Sequence, residues 1–235
     1  MSFKLGTTNN RAILIQDENY YDVEKLSEGK ISSDSVQALE SIEELKKLAS
    51  SLTDFPPSGK LSEIKLGNPV PSSKNSYAVG LNYRGHAEEG GMEIPEVPMV
   101  FTKHTSCFVG PKDNVELRSD FVDYEAELVV VIGKGGKDIK EENGWEHVAG
   151  MCIGQDISDR PAQFATQPPM FNLGKSFDTF GPMGPYLVPP DSLDNYEGLD
   201  LECKLNGKTM QKDNTSDLIF NAVSYTHLTL PTNGL

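Results

Sequence analysis

The stretch DYEAELVVVI, residues 123–132, reads as a strand running into a core. Side chains alternate along a strand, so Asp123, Glu125 and Glu127 share one face, while Tyr124, Ala126 and Leu128 share the other. From Leu128 onward the run is apolar on both faces, as in a strand covered on both sides. Three carboxylates on one face of a partly buried strand repel one another. A divalent cation, which prefers oxygen ligands, would remove the conflict. The solvated face of an edge strand explains the same alternation, and the pattern alone leaves the two readings level.

The sequence on either side is β-rich from about residue 70. Short apolar runs alternate with Gly/Pro turns: Tyr77–Leu81, Met99–Phe101, Met151–Ile153, Tyr186–Val188 and Leu199–Leu205. The last run meets Asn206–Gly207, a strong hairpin signal. Upstream, Ala12–Ile15 reads as a strand to which Tyr20–Val23 pairs back through the polar turn at Gln16–Asn19. SSDSVQALESIEELKKLASSL then places Val36, Leu39, Ile42, Leu45, Leu48 and Leu52 near helical spacing. Ser and Asp stand at its start as caps, and Ser41 with Glu44 predicts a second helix opened by a capping box. TDFPPSGKLS, residues 53–62, reads as a linker. The expected organisation is a small N-terminal α+β domain and linker over 1–70, then a mainly β domain over 71–221.

Composition narrows the function. The 235 residues carry 21 basic and 35 acidic side chains, a net charge of −14. Such a field repels phosphate backbones and anionic lipid heads, which argues against nucleic-acid and membrane partners. Cys107, Cys152 and Cys203 form no CxxC pair and are odd in number, which suits a reducing compartment. The N-terminus lacks the apolar stretch of a signal peptide, and no apolar run nears the ~20 residues needed to span a bilayer. A cytoplasmic protein is expected.

Three further segments can carry chemistry. In GMCIGQDISDR, Asp156 lies at the polar end of a buried strand; spacing alone makes it a turn residue, although carboxylates emerging from a core are natural ligands. Asp159 suits the cap of a short helix with Pro161 in its first turn. In GLNYRGHAEEGG, a helix would set His86 and Glu89 one turn apart, the arrangement of a base and its orienting carboxylate. The flanking glycines suit a loop that moves, but these residues alone favour an exposed turn with an incidental histidine. Lys175, in FNLGKSFDTFGPMGP, is a candidate desolvated cation for an anionic intermediate. Its Gly-Lys-Ser context is no phosphate loop, because Pro169 stands where such a loop needs glycine.

Taken together, these segments resemble the fumarylacetoacetate hydrolase family. LNYRGHAEE, PMVFTKHTS, DYEAELVVVIG, HVAGMCIGQDISDR, LGKSFDTFGPMGPYLV and TSDLIFN follow the family's order from about residue 77 to residue 221. The resemblance implies an α+β, mainly β fold, a mixed β-sandwich roll behind the small N-terminal domain, usually paired into a homodimer. It implies a metal triad of Glu125, Glu127 and Asp156, a dyad of His86 and Glu89, and a catalytic Lys175. Arg160 and Gln163 fall where the family contacts substrate. Carboxylate ligands without Cys or clustered His favour Mg²⁺ or Mn²⁺ over Zn²⁺, with Ca²⁺ also admissible.

The implied reaction is hydrolysis of a carbon–carbon bond in a 2,4-diketo acid, a small-molecule substrate. The same enolate serves decarboxylation or isomerisation of an oxaloacetate-type acid. An inactive metal-binding fragment is the alternative outside catalysis. The family continues past TSDLIFNAVSY, read as a helix, whereas this chain ends SYTHLTLPTNGL, which matches nothing in it. The expectation is a truncated reading frame, incomplete after residue 221, with a non-native tail over 222–235 and reduced stability and activity.

Overall fold

The computed structural model describes residues 3–71 and 73–221. Its first strands form a meander, β1 (Leu5–Thr8), β2 (Arg11–Gln16) and β3 (Asn19–Asp22). Asn9 and Asn10 turn the chain between β1 and β2 with φ of 49° and 59°, the paired left-handed conformation that hairpins use and asparagine tolerates. The segment read as a linker lies along this sheet. Its β4 (Gly59–Lys60) pairs with Asn19 and Tyr20 of β3, and Ser58 accepts a hydrogen bond from the Asp22 amide.

Three helices cover the meander: α1 (Val23–Leu26), α2 (Ser35–Leu39) and α3 (Ile42–Ser50). The predicted restart at Ser41 is present, but its capping box is not, since Ser41 makes no side-chain cap. Asp34 does cap α2, accepting from the Gln37 amide at 2.9 Å.

The β-rich part adds β5 (Tyr77–Gly80), α4 (Arg84–Glu89), β6 (Met99–Thr102), β7 (Phe108–Val109), β8 (Val122–Asp123) and β9 (Ala126–Ile132). Then come β10 (Val148–Gln155), β11 (Ser158–Asp159), α5 (Arg160–Gln163), α6 (Phe171–Gly174), β12 (Gly181–Val188), β13 (Asp200–Leu205) and β14 (Lys208–Asn214). The main sheet runs β4-β3-β2-β1-β12-β10-β9, with β7 parallel to β12. The fold is mainly β, as expected.

Residues 1–70 join the later strands through β1 and β12, where Leu5 faces Leu187. Leu5, Leu14, Val23, Leu39 and Leu45 share one buried cluster with Ala149, Cys152, Met183 and Leu187. Each fully buried Leu contributes about 1.5–3 kcal/mol, so this shared core ties the N-terminal segment to the later sheet. A smaller cluster of Cys107, Ile157 and Phe180 underlies the segments that carry the candidate site.

Two details depart from the sequence reading. The strand predicted over 123–132 is broken after Asp123, where Gln211 of β14 intrudes and accepts a hydrogen bond from the Ala126 amide at 2.9 Å. The helix predicted at TSDLIFN is a single 3₁₀ turn, Thr215–Asp217, followed by a bridge from Leu218 to Tyr83. The Asn206–Gly207 hairpin forms as read, with φ of 52° and 81°. The tail expected over 222–235 lies outside the described residues. Among the described residues, no helix is long and apolar enough to cross a membrane.

Candidate active site

Glu125 leads into β9, and Asp156 follows the end of β10. The Asp156 amide donates to the Glu125 carbonyl at 2.9 Å, which locks the two acids side by side. Lys175, just past α6, reaches into the gap. Its Nζ donates to Glu125 Oε2 at 2.9 Å, to Asp156 Oδ2 at 2.9 Å and to Ser158 Oγ at 2.7 Å. An ammonium has three donors, and all three are used. Burial without those partners would cost several kcal/mol.

A second buried lysine lies behind the first. Lys103, one residue past β6, donates to Asp156 Oδ1 at 2.6 Å, to the Phe180 carbonyl at 3.2 Å and to the Lys175 carbonyl. Sequence reasoning missed it, although PMVFTKHTS contains it; a lysine directly after an apolar strand was the available signal. Ser158, fully buried on β11, was missed as well and has no comparable signal.

On the other side, Arg160 donates to Asp123 Oδ2 at 2.7 Å, to Glu125 Oε1 at 2.8 Å and to Gln163 Oε1 at 2.8 Å. Burial works against its charge, but the hydrogen bonds and fields of Asp123 and Glu125 outweigh it and raise the guanidinium pKa. Asp159 caps α5 through the Ala162 amide at 2.9 Å, with Pro161 in the first turn, and so fixes where Arg160 and Gln163 stand.

Four carboxylates, Asp123, Glu125, Glu127 and Asp156, thus meet three cations, Lys103, Arg160 and Lys175. Glu127 is the acid left over. Among the described residues its carboxylate accepts no hydrogen bond. Burial, and then the charges of Asp156 and Glu125, push its pKa up to about 8. A carboxylate in that position is short of positive charge. The donor set is all oxygen, with no thiolate and no clustered imidazole, and it fits a hard divalent cation. Among the described residues no three acidic, imidazole or thiol groups converge at metal-holding distances. Lys175 stands between Glu125 and Asp156, and Arg160 holds the second oxygen of Glu125.

His86 and Glu89 lie on α4, as read, one turn apart and both exposed. Neither side chain hydrogen-bonds the other or the lysine–carboxylate cluster among the described residues. The structure therefore gathers Glu125, Asp156, Lys175, Arg160 and Gln163 in one network, sets Glu127 within its field, and leaves the dyad outside. A cleft of about 650 Å³ between β6 and the 166–172 segment opens beside the network. Phe101 lines it and lies 5.7 Å from Lys175 Nζ.

A family model described as fumarylacetoacetate (FAA) hydrolase C-terminal matches residues 75–227. The chain is 42% identical over 161 residues to the mitochondrial oxaloacetate tautomerase FAHD2A of Bos taurus, covering 68% of this chain and 51% of that protein. It thus spans about half the length of such relatives. The oxaloacetate tautomerase YisK of Bacillus subtilis is 37% identical over 244 residues, covering 94% of this chain and 80% of its own. The maleylpyruvate hydrolase of Sphingobium sp. SYK-6, solved with manganese(II) and pyruvate, superposes with a TM-score of 0.79 at 23% identity, over 96% of this chain and 81% of that one. At that identity the likeness is one of fold.

Proposed function

The chain belongs to the fumarylacetoacetate hydrolase family, and from that premise we propose that it interconverts the enol and keto forms of oxaloacetate or a close 2-keto dicarboxylate. The observation that carries this reading is the buried Lys175 ammonium, fixed by Glu125, Asp156 and Ser158 and 5.7 Å from the ring of Phe101, which lines the neighbouring cleft. An enolate is an oxyanion, and a preorganised cation in a water-poor site stabilises it without reorganising. The extended identity to the Bacillus subtilis tautomerase supports the same choice over hydrolysis.

Tautomerisation removes a proton from C3 and delivers one to the C2 oxygen, leaving the carbon skeleton intact. Glu125, Glu127 and Asp156 would hold a divalent cation, Mg²⁺ or Mn²⁺, which when bound supplies Lewis acidity at the C2 oxygen. Lys175 offsets the negative charge that grows there. Arg160, steadied by Gln163, would bind a substrate carboxylate by exchanging its bonds to Asp123 or Glu125. On the family resemblance, His86 would take the C3 proton and pass it to the C2 oxygen once α4 closes over the site, with Glu89 as the carboxylate that orients it.

A second reading, hydrolysis of a 2,4-diketo acid, is favoured by the His86–Glu89 spacing, because an attacking water also needs a base. It passes through the same enolate, as the leaving group. The three free thiols support a cytoplasmic setting, and a homodimer is proposed on the family resemblance.

The test is to dilute enolic oxaloacetate into buffer containing Mg²⁺ or Mn²⁺ and follow loss of the enol absorbance. The wild-type chain should accelerate it, and Lys175→Met should lose about 10²-fold or more. No acceleration, together with cleavage of an acylpyruvate, would replace this reading with the second.

A further inference from the structure

The helix that carries His86 and Glu89 does not cap itself. Its N-cap is Tyr83, whose side chain makes no capping hydrogen bond. The first amides of a helix have no partner within it, and a six-residue helix is too short to persist on propensity alone. Here the Gly85 amide donates to Asp217 Oδ2 at 2.8 Å, across 132 residues of sequence. A carboxylate at that end also complements the helix dipole.

The segment around Asp217 is fastened to the start of α4 by further bonds. The Ile219 amide donates to the Asn82 carbonyl at 2.8 Å. The Phe220 amide donates to Asn82 Oδ1 at 2.9 Å, and Asn82 Nδ2 returns a bond to the Phe220 carbonyl at 3.0 Å. Tyr83 and Leu218 form a β-bridge. Just before these residues, Leu81 has φ of 52°. A leucine in the left-handed region is strained and persists only where its surroundings hold it. The approach to α4 is therefore set from outside, by residues 217–220.

We infer that Asp217 is a positioning residue: it caps α4 from across the chain and so fixes where His86 and Glu89 stand. This rests on the proposed role of that dyad. Asp217 touches neither substrate nor reacting atoms, and it acts only through the helix.

The experiment uses the full chain with Asp217→Ala and Asp217→Asn, and His86→Ala as reference. Two quantities are read: hydrogen exchange of the amides of residues 84–90 without substrate, and kcat and KM for oxaloacetate tautomerisation with Mn²⁺. Losing a cap shifts a local helix equilibrium by about fivefold. Asp217→Ala should speed exchange by about that factor and lower kcat at least as much, with a smaller change in KM. Asp217→Asn accepts the same hydrogen bond and should recover most of both. Unchanged exchange in Asp217→Ala, unchanged kcat despite faster exchange, or an Asn variant as impaired as Ala would each overturn the inference. If His86→Ala turns over like wild type, the dyad reading fails and the catalytic part of the inference falls with it. The exchange data then decide by themselves whether Asp217 holds the helix.

Discussion

Lys103 Nζ lies 2.6 Å from Asp156 Oδ1, and the two side chains are only 6% and 8% exposed. This pair is the inner end of a line of alternating charge that runs outward through Lys175 and Glu125 to Arg160. Lys103 and Lys175 together offset the cost of holding the Asp156 carboxylate where water cannot serve it.

Lys103→Met should destabilise the fold by about 1.5–3 kcal/mol, the usual worth of a hydrogen bond to a charged group, because Asp156 keeps its bond from Lys175. Urea unfolding of the two proteins measures it. Lys103→Met, Asp156→Asn together should cost less than the sum of the two single variants, because the bond between the two side chains is lost in each. Fully additive losses would show that the pair is not what Lys103 supports.

Glu127→Gln should weaken Mn²⁺ binding by more than about tenfold in titration calorimetry, since a carboxylate that ligates a cation supplies charge an amide lacks. The fold should survive, because among the described residues Glu127 makes no hydrogen bond that glutamine would break. Wild-type affinity in this variant would remove Glu127 from the metal set.

Asp22 couples pH to stability. It caps α1 through the Lys25 amide at 3.0 Å and pairs with Arg11 at 2.7 Å. Burial pushes its pKa up, but the Arg11 and backbone hydrogen bonds together outweigh that and hold it below the ordinary carboxylate range. A lowered folded pKa means stability that is fully present above the unfolded value, about 3.9, and lost as pH falls through the folded one. Asp22→Ala should cost about 1–2 kcal/mol at neutral pH. The gap to wild type should shrink below about pH 4. A gap that stays constant down to pH 2 would show that the charge contributes nothing.

Leu187→Ala tests the shared core. Leu187 is fully buried where β12 meets β1, and truncating such a leucine costs about 2–5 kcal/mol. Calorimetry should show one transition moved to lower temperature, because both halves rest on the same cluster. A split into two peaks would mean that residues 1–70 fold as a separate unit.

Much of this was legible in the sequence because it depends on local pattern. The continuous apolar run over Leu128–Ile132, the apolar spacing of residues 36–52 and the Asn206–Gly207 turn each report a structure set by neighbours. Glu125, Asp156, Lys175, Arg160 and Gln163 were identified and do form one network. What the sequence hid was made by distant segments. Gln211 breaks the acidic strand after Asp123, and no pattern within residues 123–132 could reveal it. Lys103 and Ser158 owe their roles to packing against Asp156 and Lys175.

The measurement that bears most directly on the proposed activity is proton exchange at C3 of oxaloacetate, followed by NMR in D₂O with Mg²⁺ present. Tautomerisation must pass that proton to and from the protein, whereas binding alone leaves it in place. The wild-type chain should exchange it well above the buffer rate, and Lys175→Met should fall back towards buffer. Equal exchange with wild type, Lys175→Met and buffer alone would contradict the account.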